Sequence, residues 1–362
     1  MGYFLSDRVL DAKHNNLTLV RLILAASVIY SHSLEATNGM DETIALFHQP
    51  MSWFAVNGFF ALSGFLMYRS LERNASIGSF ALSRFMRIWP GMIAMCVIVV
   101  LLFLPFTTVS IGAYLTGSDT LRFLIYNQLT LGWYSLTGVF CGGSGEPCNI
   151  NGSLWTIPWE IRCYVIIAVL AKLGLLRSKP FHRFVVPVSL GGALLFLFPP
   201  VHAWLQGMLH GHLYFLEQIA RLWTAFLLGG VAYANRHRIP LSWLGALALL
   251  VLVYLTRSLF FGDILRSIAV LYWVLCVGFL AAGKIPGAPR LPDFSFGTYI
   301  YGMPVMRLIL LLVPAIEGHL LALATMVLVL PFAAFSWEAI ERPAQTLRKR
   351  FRKPRGAALK AN

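Results

Sequence analysis

The chain has 362 residues, of which 58% are hydrophobic and 12% charged, with a mean hydropathy of +0.70. That composition excludes a string of soluble domains and points to one polytopic helical membrane domain. A net charge of +14 would suggest nucleic acid in a soluble protein, whereas in a membrane chain it reports orientation and an anionic cofactor.

The first sixteen residues are polar and the first apolar run contains Arg21, so that run reads as a retained helix rather than a cleaved signal. Ten apolar runs are separated by polar or Gly/Pro-rich breaks: 17–36, 51–69, 88–107, 157–176, 184–200, 214–234, 241–256, 264–283, 294–314 and 319–340. The expected fold is all-α, an integral membrane protein of about ten transmembrane helices in one domain over 1–347, followed by a basic tail at 348–362. Segments on the N-terminal side of this arrangement hold 22 Lys and Arg, against three (Arg122, Arg257 and Arg266) on the opposite side. By the positive-inside rule both termini are cytoplasmic. The long loop 108–156 then faces outwards.

Asn16 to Glu35, NLTLVRLILAASVIYSHSLE, carries Arg21 and His32 eleven positions apart. In a helix that is a rise of roughly 16 Å on nearly one face, and neither group is tolerated in lipid. The polar groups therefore face protein or a wet cavity, Arg21 towards the cytoplasm and His32 towards the outside. Further on, Ser83-Arg84-Phe85-Met86-Arg87 closes a short cytoplasmic segment. Arg84 and Arg87, three apart, present two forked cations suited to the phosphates of a nucleotide-bearing cofactor, or to lipid headgroups.

In the outer loop, CGGSGEPC places Cys141 and Cys148 around a short flexible turn. An oxidising compartment would close it as a disulfide; two free thiols are the alternative, and no nearby His completes a zinc site. No metal is expected. The loop leads into Gly152-Ser153-Leu154-Trp155-Thr156 and then Glu160, which reads either as a helix-start carboxylate or as a group that orients an imidazole or binds a sugar hydroxyl. Glu217 and Arg221, four apart, are expected to pair along one helix. His202, His210 and His212 share an outer loop and read as solvated. Arg307 has no partner in local sequence.

The Arg21–His32 spacing resembles the signature of the acyltransferase family 3 membrane proteins. Four further segments are similar to that family: GFFALSGFLM through RIWP, the GSLWT entry to the fourth helix, Asp293 to Val305 (DFSFGTYIYGMPV), and Ser336 to Pro343 (SWEAIERP). One departure is visible: the family's usual histidine before the penultimate-helix Pro is Gly302 here. The resemblance implies a membrane O-acyltransferase of the bacterial cytoplasmic (inner) membrane that uses acyl-CoA, most often acetyl-CoA, on an extracytoplasmic carbohydrate or glycolipid. It implies Arg84 and Arg87, with Arg21, at the acyl-CoA, and His32 as general base on an acceptor hydroxyl near Ser153, Trp155 and Glu160. The rival reading is a transporter of an anionic or saccharide substrate lined by the same charges; no internal repeat supports it.

Overall fold

All ten apolar runs carry helix. The computed structural model describes residues 3–5, 15–39, 45–47, 49–73, 76–141, 146–209, 213–282, 285, 287–288 and 291–351. His210, His212 and the basic tail beyond 351 lie outside them. In chain order the helices are α1 (Leu17–Asn38), α2 (Met51–Arg73), α3 (Ile77–Phe103), α4 (Ile111–Thr116), α5 (Ser118–Tyr126), α6 (Thr156–Lys172), α7 (Ser178–Pro180), α8 (Val186–Leu197), α9 (Pro199–Leu209), α10 (Leu213–Ala234), α11 (Trp243–Leu255), α12 (Gly262–Leu275), α13 (Ser295–Leu312), α14 (Gly318–Phe335) and α15 (Arg342–Phe351). Two two-stranded ribbons complete the regular structure: β1 (Tyr3–Phe4) with β4 (Pro240–Leu241), and β2 (Ala45–Leu46) with β3 (Gln49–Pro50). The protein is an all-α polytopic membrane protein.

Length and composition alone mark fewer clear spans than the ten expected. Among the described residues, seven helices are long and apolar enough to cross a membrane, and an eighth span arises if the bent pair Phe181–Leu197 and Pro199–Leu209 is counted once. That pair turns by 75°. Pro199 and Pro200 explain the break, since neither supplies an amide hydrogen and each disfavours helix in the residue before it. α10 is as long as α1, but Glu217, Gln218 and Arg221 keep it out of the apolar set. α11, with 13 residues, extends about 20 Å, short of a hydrocarbon core of roughly 30 Å. α3 begins at Ile77, capped by the Ser76 hydroxyl accepting from the Ser79 amide at 3.3 Å, so Arg84 and Arg87 sit within a helix rather than a loop.

α2 is the central element, flanked by α1, α6, α10 and α12. It runs beside α10 at backbone distance because both helices carry glycine where they cross. A Cβ on Gly64 would stand 1.8 Å from the Phe226 carbonyl oxygen, and one on Gly229 1.9 Å from that of Ala61. Small residues at such crossings let helix backbones meet where lipid offers no hydrophobic drive. α1, α13 and α14 form the adjoining layer. Here Gly302 has a structural reason: a Cβ would approach Ile29 of α1 to 2.8 Å. Gly302→Ala is expected to lower thermal stability by about 1–3 kcal/mol through overpacking, read from unfolding of the purified protein; unchanged stability would contradict this packing.

The packing gathers the polar groups at two ends. The starts of α1, α3 and α13 and the segment after α14 meet around Arg21, Arg87, Asp293 and Glu341. The end of α1 and the starts of α2, α6, α10 and α12 lie at the other. There the loop 107–155 is folded rather than loose: Thr107 Oγ1 donates to the Thr137 carbonyl at 3.0 Å, and Asn127 Nδ2 to the Trp133 carbonyl at 2.8 Å. Asn151 Nδ2 fastens the loop to α13 through the Ile300 carbonyl at 2.8 Å. Arg307, unpartnered in local sequence, donates from Nε to the Asn149 carbonyl at 3.0 Å.

Candidate active site

Two cavities share the interior of the α1, α2, α6 and α13 packing. The first has a volume of about 120 Å³ and is lined by Arg21, Ser63, Arg84, Arg87, Glu160 and Tyr299, among others. The second, only about 10 Å³, is lined by Ala25, Ile29, His32, Ser153, Tyr299 and Met303 with their neighbours. Tyr299 faces both. Its hydroxyl donates to the Ser153 carbonyl at 2.8 Å and lies 2.6 Å from Thr156 Oγ1.

The three arginines named from sequence meet in the larger cavity, but they are not equivalent. Arg87 reaches Asp293 Oδ2 at 2.9 Å and Glu341 Oε2 at 3.6 Å, and Arg21 reaches Asp293 Oδ2 at 3.2 Å. Glu341 is 1% exposed and its other oxygen accepts from Ser336 Oγ at 2.9 Å. The π-helical segment Ser336–Glu341 turns that carboxylate inwards. Burial by itself would raise the Asp293 carboxyl, but Arg87 and Arg21, with the Ser295 hydroxyl, hold it at about 2. Arg84 differs. It donates to the Ser83 hydroxyl at 2.8 Å and lies over the Tyr164 ring at 5.8 Å, and among the described residues no carboxylate pairs with it. Its buried Nε, like that of Arg21, has no hydrogen-bond partner. The cavity therefore presents one guanidinium outside ion-pair distance of any described carboxylate and two orphaned N–H donors that can take an anionic ligand, with the Glu160 carboxylate in the same lining.

Glu160 belongs to this cavity and not to His32. It accepts from the Tyr164 hydroxyl one turn along α6 and from Ser63 Oγ at 3.3 Å. The carboxylate beside His32 is Glu35, one turn further along α1: His32 Nδ1 lies 2.6 Å from Glu35 Oε2, and Ser31 Oγ donates to Oε1 at 3.1 Å. Glu35 closes the quoted α1 stretch, and its i,i+3 spacing from His32 was the available signal. Asp293 and Glu341 stand likewise in the DFSFGTYIYGMPV and SWEAIERP segments, where local spacing offers neither of them an arginine of α1 or α3. A carboxylate only accepts, so the Nδ1 proton of His32 points at Glu35, and a neutral ring would keep its lone pair on Nε2.

Ser153 lines the His32 cavity, its Oγ 3.6 Å from Met303 Sδ. Trp155, two residues on in the tight turn Gly152–Trp155, faces the other way, with the Arg221 guanidinium 5.8 Å from its ring centre. Glu217 pairs not with Arg221 but with His202, at 3.0 Å. Among the described residues no group of His, Cys, Asp and Glu is arranged to hold a metal ion.

Cys141 and Cys148 are joined in a disulfide, with Cα atoms 4.7 Å apart. Closing so short a loop contributes about 2–3 kcal/mol by the chain-entropy account. Cys148 is buried and its amide donates to the Val139 carbonyl at 2.9 Å, three residues before the Asn151 tether. Reduction, or Cys141→Ser, is expected to lower thermal stability by about 2–3 kcal/mol, read from unfolding of the purified protein. Unchanged stability would contradict a structural role for the bond.

The model of the acyltransferase domain family matches residues 14–338. The chain belongs to acyltransferase family 3. It is a membrane acyltransferase, which sets aside the transporter reading. It is similar to Nodulation protein 10 of Rhizobium leguminosarum bv. viciae, 25% identical over 92% of this chain and 94% of that protein. It is similar also to an O-acetyl transferase of Shigella phage Sf6, 25% identical over 91% of this chain and 96% of that protein. No solved structure matches.

Proposed function

We propose that this acyltransferase moves acetyl from acetyl-CoA to a hydroxyl of an extracytoplasmic carbohydrate or glycolipid, as a multi-pass protein of the bacterial inner membrane. One observation carries the reading: an arginine-lined cavity and a His32-lined cavity meet at a single side chain, Tyr299. The Lys and Arg asymmetry supports the arginine end as cytoplasmic. Similarity to a phage O-acetyl transferase supports acetyl as the group transferred.

In this reading Arg84 holds a phosphate of the coenzyme, Arg21 adds a second donor, and Arg87 fixes the site by anchoring Asp293 and Glu341. The thioester arm of the coenzyme would run from these arginines towards His32, with Tyr299 between the two cavities. His32 Nε2 takes the acceptor hydroxyl proton as the oxygen attacks the thioester carbonyl, while Glu35 stabilises the imidazolium. The tetrahedral intermediate collapses with cleavage of the carbon–sulfur bond. The coenzyme leaves as thiolate and recovers a proton from His32. Glu160, held by Tyr164 and Ser63, shapes the thioester path instead of the base.

The test is incubation of purified protein with acetyl-labelled acetyl-CoA, with and without acceptor glycan. Label is expected on the glycan with release of free thiol; an intact thioester in both samples would overturn the reading.

A further inference from the structure

A third cavity, of about 390 Å³, opens among α2, α8, α9, α10 and α12 and takes no part in the chemistry above. Its lining is unusually polar for this chain: Gln49, His202, Glu217, Gln218, Arg221 and Asp263, with the indole of Trp53. The carboxylates are already matched, Glu217 by His202 at 3.0 Å and Asp263 by Arg266 and by Gln49 Nε2, the latter at 3.4 Å. The remaining polar groups are not. Arg221 Nε and Gln218 Oε1 are both buried without a hydrogen-bond partner, and neither has one elsewhere among the described residues. Arg221 lies against two indoles, 5.6 Å from the Trp53 ring centre and 5.8 Å from that of Trp155. An unsatisfied guanidinium and amide inside a membrane domain are costly unless something fills the space between them.

The position of this cavity gives it a purpose. Gln49, Glu217 and Asp263 stand at or just before the starts of α2, α10 and α12, at the same end of the molecule as His32. One tight turn separates the two places: Ser153 faces the His32 cavity, and Trp155 lies beside Arg221. Free donors and acceptors set beside flat apolar rings match a pyranose, which offers hydroxyls around its edge and C–H groups on its faces. A lipid tail would leave the same groups unsatisfied.

We infer that the Arg221 cavity is a saccharide subsite, holding one sugar unit of the acceptor glycan while a neighbouring unit presents its hydroxyl to His32. This rests on the reading of a carbohydrate acceptor at the His32 end, and its test reads binding rather than transfer so that the two can fail separately. The probes are methyl glycosides of glucose, rhamnose, N-acetylglucosamine and glucuronic acid. Their saturation-transfer NMR signals would be recorded on the full-length protein in detergent.

At least one glycoside is expected to bind, with affinity kept in His32→Ala and weakened about tenfold or more in Arg221→Ala and Trp53→Phe. Gln218→Leu, which preserves size, is expected to weaken binding in a protein whose thermal unfolding matches the parent. It keeps the test decisive if Arg221→Ala does not fold. In transfer assays Arg221→Ala would raise KM for the glycan while acetyl-CoA binding stays unchanged. Binding unaffected by these substitutions, binding lost in His32→Ala, or binding of inorganic phosphate but of no glycoside would each overturn the subsite. A glycoside that binds as described to a protein inactive towards acetyl-CoA would instead spare the subsite and overturn the acyl-transfer reading.

Discussion

Arg87→Ala is expected to destabilise the protein by about 3–5 kcal/mol, while Arg84→Ala leaves thermal unfolding nearly unchanged and abolishes tight acetyl-CoA binding. The two residues are one helical turn apart on α3 and look interchangeable in sequence. They differ in partners. Arg87 lies between Asp293 at 2.9 Å and Glu341 at 3.6 Å. Removing it leaves Glu341 without its ion-pair partner and Asp293 with Arg21 alone, and an uncompensated buried charge costs far more than the intact pair contributes. Arg84 holds no carboxylate among the described residues, so its loss orphans nothing and removes the cation available to a phosphate. Lys at 84 should rescue only in part, because it lacks the fork. Thermal unfolding and ligand binding on the two variants check this; equal destabilisation by both would contradict it. The same cluster sets an acid limit. The Asp293 carboxyl is held below its ordinary 3.8, at about 2. Its contribution is therefore complete above about pH 4 and lost as pH falls towards 2.

His32→Ala is expected to lower kcat by about 10²–10⁴-fold with acetyl-CoA binding intact. Glu35→Gln should lower it by a smaller factor within that range, because the amide still holds the ring but no longer stabilises its charged form. The pair is 2.6 Å apart on one turn of α1, so neither change breaks a hydrogen bond or ion pair between helices among the described residues. Normal turnover by His32→Ala would remove the base from the account; normal turnover by Glu35→Gln alone would leave the base and remove its partner.

The helices were legible because membrane spans announce themselves by length and apolarity, and α1 placed Arg21 and His32 on cavities that meet at one residue. What sequence periodicity could not supply was partnership across helices. Sequence leaves Glu160 as a helix-start carboxylate, an imidazole partner or a sugar ligand, and only the fold shows α6 turning its side chain onto Tyr164 and Ser63. Glu217 was paired with Arg221 by the i,i+4 rule, and the helix break at Pro199 brought His202 to it instead. The ion-pair centre at Asp293 and Glu341 joins segments hundreds of residues from Arg21, a proximity that no local spacing encodes.

In the proposed reaction acetyl-CoA is taken at the arginine end and acetyl is delivered at the His32 end. Sealed membrane vesicles of opposite orientation, given acetyl-labelled acetyl-CoA that cannot cross the bilayer, test it most directly. Inverted vesicles, with the cytoplasmic face outwards, should place label on acceptor glycan in the lumen, and right-side-out vesicles should place none. Label appearing on external glycan in right-side-out vesicles, with none in inverted ones, would put the acetyl-CoA site on the outer face and overturn this orientation.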